Sequence, residues 1–193
     1  MGTFDTNSIK ILYGEKNQGN ITIGVYGGTA SIKFFDPNKK GAPVTRVITD
    51  RFRLEMKEAI NKVIANGPGT KVTFTKSIFE KIANTFKIDT VVTVGMNDSK
   101  LIYLSIQSRE LSAPATIIFK SPKSDVYNSG NEVDDATDSK QEALAFVEFL
   151  YYNLPIFIGL SKDADTMRKI ADSRKRAFGG AAQPSNPHED IPF

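Results

Sequence analysis

The residues able to do covalent or acid–base chemistry are few. There is no cysteine, and the single histidine is His188, near the C-terminus. A Ser–His–Asp triad, a cysteine nucleophile and a His/Cys zinc site are therefore excluded by inventory. Asp134-Asp135 and Asp163-Asp165 carry enough charge for Mg²⁺, but each pair falls where a solvated loop or a helix N-terminus favours acids on its own account. Gly27-Gly28 precedes no Gly-Lys-Ser/Thr and opens no helix, so it does not read as a phosphate loop. No catalytic residue, metal or cofactor is expected. What remains is the chemistry of binding: aromatic rings beside lysines and arginines, and a terminal peptide, His188-Glu189-Asp190-Ile191-Pro192-Phe193.

That peptide is compact and specific. Phe193 offers a ring for an apolar pocket and a carboxylate for a neighbouring cation, and Pro192 limits the conformations lost on binding. The ending resembles the acidic tip of bacterial single-stranded DNA-binding proteins, whose chains close in aspartates followed by Ile-Pro-Phe. Asp190, Ile191, Pro192 and Phe193 match, and Glu189 stands for a further acid. The resemblance covers these last five residues alone, and the body shows no match to that family's N-terminal domain. It implies that Glu189 to Phe193 dock onto replication, recombination and repair proteins, and that the body binds single-stranded DNA.

Hydrophobic residues make up 40 % and charged residues 24 % of 193 positions, which allows one globular domain with a helical appendage. No apolar run approaches the ~20 residues of a membrane span, and Met1-Gly2-Thr3-Phe4-Asp5 lacks the features of a secretory signal, so a cytoplasmic protein and no membrane partner are expected. Net charge is +3 but unevenly spread: residues 1–123 hold 18 Lys/Arg against 10 Asp/Glu, whereas residues 124–139 hold five acids and no base. The expected organisation is a basic β-rich DNA-binding domain over 1–123 and an acidic flexible loop over 124–139. C-terminal helices over 140–177 pack on the domain, and 178–193 form a disordered linker and docking tip.

Residues 8–14, 20–27 and 29–35 alternate as half-buried antiparallel strands, with Gly27-Gly28 as a two-residue hairpin turn. Val44 to Ile48 makes a fourth strand. Thr49 or Asp50 caps a helix to about Ala65, with Phe52, Met56, Ala59, Ile60, Val63 and Ile64 inward. A short strand over 71–75 is followed by a second amphipathic helix built on Ile78, Phe79, Ile82, Ala83 and Phe86. Strands at about 89–96, 100–107 and 114–120 come next. A helix opened by Asp138 with Gln141 runs to Pro155, and a last one spans Lys162 to Arg176 with Met167 and Ile170 inward. The class is α+β, antiparallel meanders packed with helices and followed by a disordered tail. Two halves of strands followed by a helix are similar in layout to the Whirly and PC4-like single-stranded DNA-binding folds, and an OB-type barrel remains an alternative.

If odd residues of 20–27 and even residues of 29–35 and 100–107 face the core, Tyr26, Lys33, Phe35, Tyr103 and Arg109 point outward. Rings and cations on one face suit sequence-tolerant binding of a single strand, where bases stack and Lys or Arg follow the phosphates. Lys10, Arg46, Lys71 and Lys120 are candidates for the same groove. Two function classes stay open: a single-stranded DNA-binding protein of bacteriophage origin acting in the bacterial host cell, or an interaction protein that mimics the tip to engage the host's tip-binding partners without binding DNA. Self-association is open as well.

Overall fold

The computed structural model describes residues 9–12, 21–38, 42–121 and 134–178. The acidic stretch 124–133 and the terminal peptide Glu189 to Phe193 lie outside them. The protein is α+β. Strands β1 (Ile9–Leu12), β2 (Ile21–Tyr26), β3 (Thr29–Phe34) and β4 (Val44–Val47) form one antiparallel sheet in sequence order. Helix α1 (Asp50–Asn66) follows, and β5 (Lys71–Glu80), β6 (Thr85–Met96), β7 (Ile102–Ser108) and β8 (Ala115–Ile118) form a second sheet, again in sequence order. Helix α2 (Asp135–Glu148), a π-helical turn (Phe149–Asn153) and α3 (Leu154–Phe178) complete the order.

Period-two alternation places Ile21, Ile23 and Val25, then Ala30, Ile32 and Phe34, on one buried face of the first sheet. Val92, Val94, Ile102, Leu104, Ile106, Ala115 and Ile117 do the same in the second. One apolar core joins the two inner faces to Met56, Ala59, Ile60 and Val63 of α1 and to Ala143, Phe146, Val147, Leu150 and Leu154 of the late helices. The β2–β3 turn closes at the pair Tyr26–Thr29, with Gly27 at φ +55° and Gly28 at φ +77°, as a primed hairpin turn requires. Thr49 caps α1, its Oγ1 accepting from the Phe52 N–H at 3.2 Å.

Several expectations from sequence are corrected. Residues 78–86 are not a helix: β5 runs on to Glu80 and β6 starts at Thr85, so the two form a long hairpin. Its four-residue loop Lys81 to Asn84 pairs Phe79 with Phe86, and a spacing of seven also keeps two residues on one helix face, so periodicity cannot tell them apart. The first helix of the C-terminal region starts earlier than expected. Asp134, not Asp138, is its N-cap, accepting from the Ala136 and Thr137 N–H groups at 3.0 Å each, so residues 135–139 belong to the helix and not to a flexible loop.

Pro155 also fails to end that helix. The Leu154 N–H bonds to Phe149 O across a widened π turn, which accommodates a proline that has no N–H to donate. The continuous rod from Asp135 to Ser173 is long and apolar enough, by length and composition, to cross a membrane, contrary to the sequence reading. Its buried stripe, however, packs on the sheets. Along α3 that stripe is Leu154, Ile158, Ser161 and Asp165, with Lys162 against Gly28, so Met167 and Ile170 fall on another side and are exposed, not inward.

Candidate nucleic-acid interface

The outer face of the second sheet is built from rows set by register. Lys71 pairs with Gly95, Gly95 with Tyr103 and Tyr103 with Ile118. The next row holds Thr73, Thr93, Ser105 and Thr116, whose hydroxyls bond in pairs, Thr73 with Thr93 at 3.1 Å and Ser105 with Thr116 at 2.9 Å. Thr75, Val91 and Gln107 form the third row. Gly95 explains how a lysine and a tyrosine share a row. A Cβ at Gly95 would overlap the Tyr103 ring, so the ring lies across the glycine toward β5, where Lys71 stands. Only a residue without a side chain permits that close approach.

Arg109 follows β7 and is exposed; its cation lies close enough to help hold the Asp89 and Glu80 carboxylates below their ordinary values. Burial pushes the Asp89 pKa up, but hydrogen bonds from Arg46 and Thr90 more than reverse this, and it is lowered. Glu80 is lowered first by its hydrogen bond from Lys87.

The structure brings Lys71 and Tyr103 onto one outer face, and Arg109 lies just past the end of β7, near Asp89 and Glu80. Tyr26 and Lys33 belong to the first sheet and Phe35 directly follows β3, so they do not complete that surface. Tyr26 is 65 % exposed, while Lys33 and Phe35 are half-buried. Tyr26 lies beside Lys169 of α3, a lysine raised above its ordinary pKa chiefly by its hydrogen bond to Asp165. Lys10 sits in β1, at the edge of the first sheet.

Two of the expected groove cations are committed elsewhere. Arg46 pairs across β3 with Ile32, which places it on the inner face, and it donates to Asp89, Ser108 and Glu110. As a candidate groove cation it is therefore corrected: its guanidinium is held inward by Asp89, which lies 43 residues away in sequence. Lys120 pairs with Asp135 at 2.9 Å at the start of α2. Of the acidic pairs weighed for Mg²⁺, Asp134 is a helix cap, Asp135 pairs with Lys120 and Asp165 with Lys169.

Sequence reasoning missed Phe79, Phe86, Lys81 and Lys87, which it assigned to a helix or left aside. All four lie on the long hairpin, where Phe79, Phe86 and Lys81 are exposed and Lys87 pairs with Glu80. The signal that could have found them is Asn84, which takes φ +48°, a turn conformation that asparagine tolerates well. A cavity of about 500 Å³ opens between the sheets, lined by Ile32, Phe34, Phe52, Phe74, Val92 and Ile106, with Arg46 in its wall. No protein-family model, curated protein or solved structure matches the chain.

Proposed function

We propose that the protein binds single-stranded DNA in replication, recombination or repair, holding the strand on the outer face of its second sheet and offering Glu189 to Phe193 to partner proteins. The observation that carries this reading is the row Lys71–Gly95–Tyr103: an exposed cation and a half-buried aromatic ring in one row of a sheet surface, with a glycine between them. The ring supplies a platform that any base can stack on, and Lys71 and Arg109 supply phosphate contacts. Thr73, Thr93, Ser105 and Thr116 give the face hydroxyls without negative charge. The late helices cover the inner faces of the sheets and leave this one open.

Four strands and a helix, given twice, support a Whirly-like or PC4-like fold in preference to an OB barrel. In both sheets the neighbours follow chain order, whereas a closed five-stranded barrel brings non-sequential strands together. A cytoplasmic site of action in a bacterial host, on a phage-encoded chain, accords with the resemblance of the tip.

The test is fluorescence polarisation of the full chain with labelled oligo(dT), repeated across salt and in competition with duplex. Binding should weaken with salt by about 0.7 in log K per log unit for each phosphate neutralised. Salt-independent binding, or equal affinity for duplex, overturns the reading. No binding at all, with capture of repair proteins through the tip preserved, would establish the alternative of a tip-bearing interaction protein.

A further inference from the structure

The pairing of β6 with β7 ends at Thr90–Ser108, yet β5 and β6 continue together through Ser77–Ile88, Ile78–Lys87, Phe79–Phe86 and Glu80–Thr85. This arm has two unlike faces. One carries Phe79, Phe86 and Ile88, which are 49 %, 71 % and 54 % exposed. The other carries Ile78, Glu80, Thr85 and Lys87, with an ion pair between Glu80 and Lys87. Along β5, positions 71, 73, 75, 77 and 79 are all exposed, so the aromatic face of the arm continues the Lys71–Tyr103 surface. From Lys71 to Phe79 that surface spans about 27 Å, at ~3.4 Å per residue.

The arm also disposes of its acids. A bulge leaves Asp89 without a partner between Lys76–Thr90 and Ser77–Ile88, and it turns Asp89 and Thr90 inward together, where Arg46 holds the carboxylate. Glu80 is taken up by Lys87. With both acids engaged internally, Lys81 at the turn and Arg109 at the root leave the arm cationic.

We propose that the arm is a second base-stacking platform for the same single strand, with Phe79 and Phe86 stacking bases and Lys81 and Arg109 contacting phosphates. This rests on the DNA-binding reading above. The rings meet edge to face, centroids 5.3 Å apart and planes at 62°, which leaves ring surface open on each. A second copy of the chain is a poorer occupant. Two aromatic side chains bury roughly 150–250 Å² each, and even with Ile88 and the fully exposed Ile82 of the turn they fall short of the ~800 Å² per partner that a stable dimer needs.

The full-length chain is compared with Phe79→Leu/Phe86→Leu, which keeps apolar bulk but removes the rings, and with Phe79→Tyr/Phe86→Tyr, which keeps them. Circular dichroism checks the fold. The leucine variant should bind oligo(dT) at least about fivefold more weakly with an unchanged salt slope, and the tyrosine variant should bind as the native chain does. An oligonucleotide carrying 5-iodouracil should photocrosslink to Phe79 or Phe86 in the native chain.

Native affinity in the leucine variant, with crosslinks confined to other residues, overturns the proposal and leaves the DNA-binding reading standing. A change of sedimentation with DNA affinity unaffected assigns the arm to contact between copies and overturns it too. If the native chain binds no DNA, both readings fall together.

Discussion

Arg46 Nε donates to Asp89 Oδ2 at 2.5 Å and Arg46 Nη2 donates to Asp89 Oδ1 at 2.9 Å, a two-point ion pair that runs from β4 in the first sheet to β6 in the second. Asp89 is 5 % exposed and Arg46 17 %. Thr90 adds a hydrogen bond to the same carboxylate at 2.8 Å, and Ser108 accepts from Arg46 at 3.2 Å. A pair this dry is costly to form, and far more costly to leave half-made.

Asp89→Asn should therefore lower stability by about 3 kcal/mol, measured by urea unfolding at neutral pH. The pH dependence has a definite sign. Asp89 is lowered from its ordinary 3.8, so its contribution is complete above that value and is lost as pH falls through the folded value. As pH falls below about 4, the native chain should lose more stability than Asp89→Asn, and parallel curves would show that the pair contributes nothing.

Ser139 joins α2 to the second sheet. Its buried Oγ accepts from the Ile102 N–H at 2.8 Å, the first donor of β7. Ser139→Ala leaves that N–H buried and unpaired, which should cost about 1–3 kcal/mol in thermal or urea unfolding.

Tyr103 and Gly95 should fail together. Tyr103→Ala removes a stacking ring and should weaken oligo(dT) binding by about 1–3 kcal/mol with little loss of fold. Gly95→Ala leaves the ring present but displaced by the new methyl, so it should weaken binding in the same direction. Polarisation titrations of both variants decide it, and an unaltered affinity in each would remove the ring from the interface. Replacing Phe35 as well as Tyr103 tests the first sheet, because a further loss appears only if the strand reaches that face.

Removing residues 188–193 should leave oligo(dT) affinity unchanged or slightly tighter, since it takes acids away from a basic body. The same deletion should abolish capture of repair and replication proteins from a bacterial lysate. Phe193 alone should account for most of that capture, because removing it takes the ring away and moves the terminal carboxylate back to Pro192. Equal recovery by the full chain and a chain lacking Phe193 would remove the tip from partner recognition.

Local rules already determined much of the fold. Alternation in 21–26, 29–34 and 102–108 names the buried residues because a strand buries every second side chain whatever it pairs with. The Thr49 cap, the Gly27-Gly28 turn and the Met56–Ala59–Ile60–Val63 stripe are local for the same reason. The absence of Cys and of all histidines but His188 excludes whole classes of chemistry from composition alone. What only the tertiary structure decided depends on partners distant in the chain. Whether Phe79 and Phe86 belong to a helix or a ribbon turns on β6 pairing back onto β5. Arg46 belongs to a clamp because Asp89, 43 residues on, is turned inward by a bulge. Pro155 lies within a helix because the rod before it is held on the sheets and a π turn can absorb the missing donor. Lys71 and Tyr103 share one row only because β6 lies between them with a glycine at the crossing point, and no property of either residue alone specifies that register.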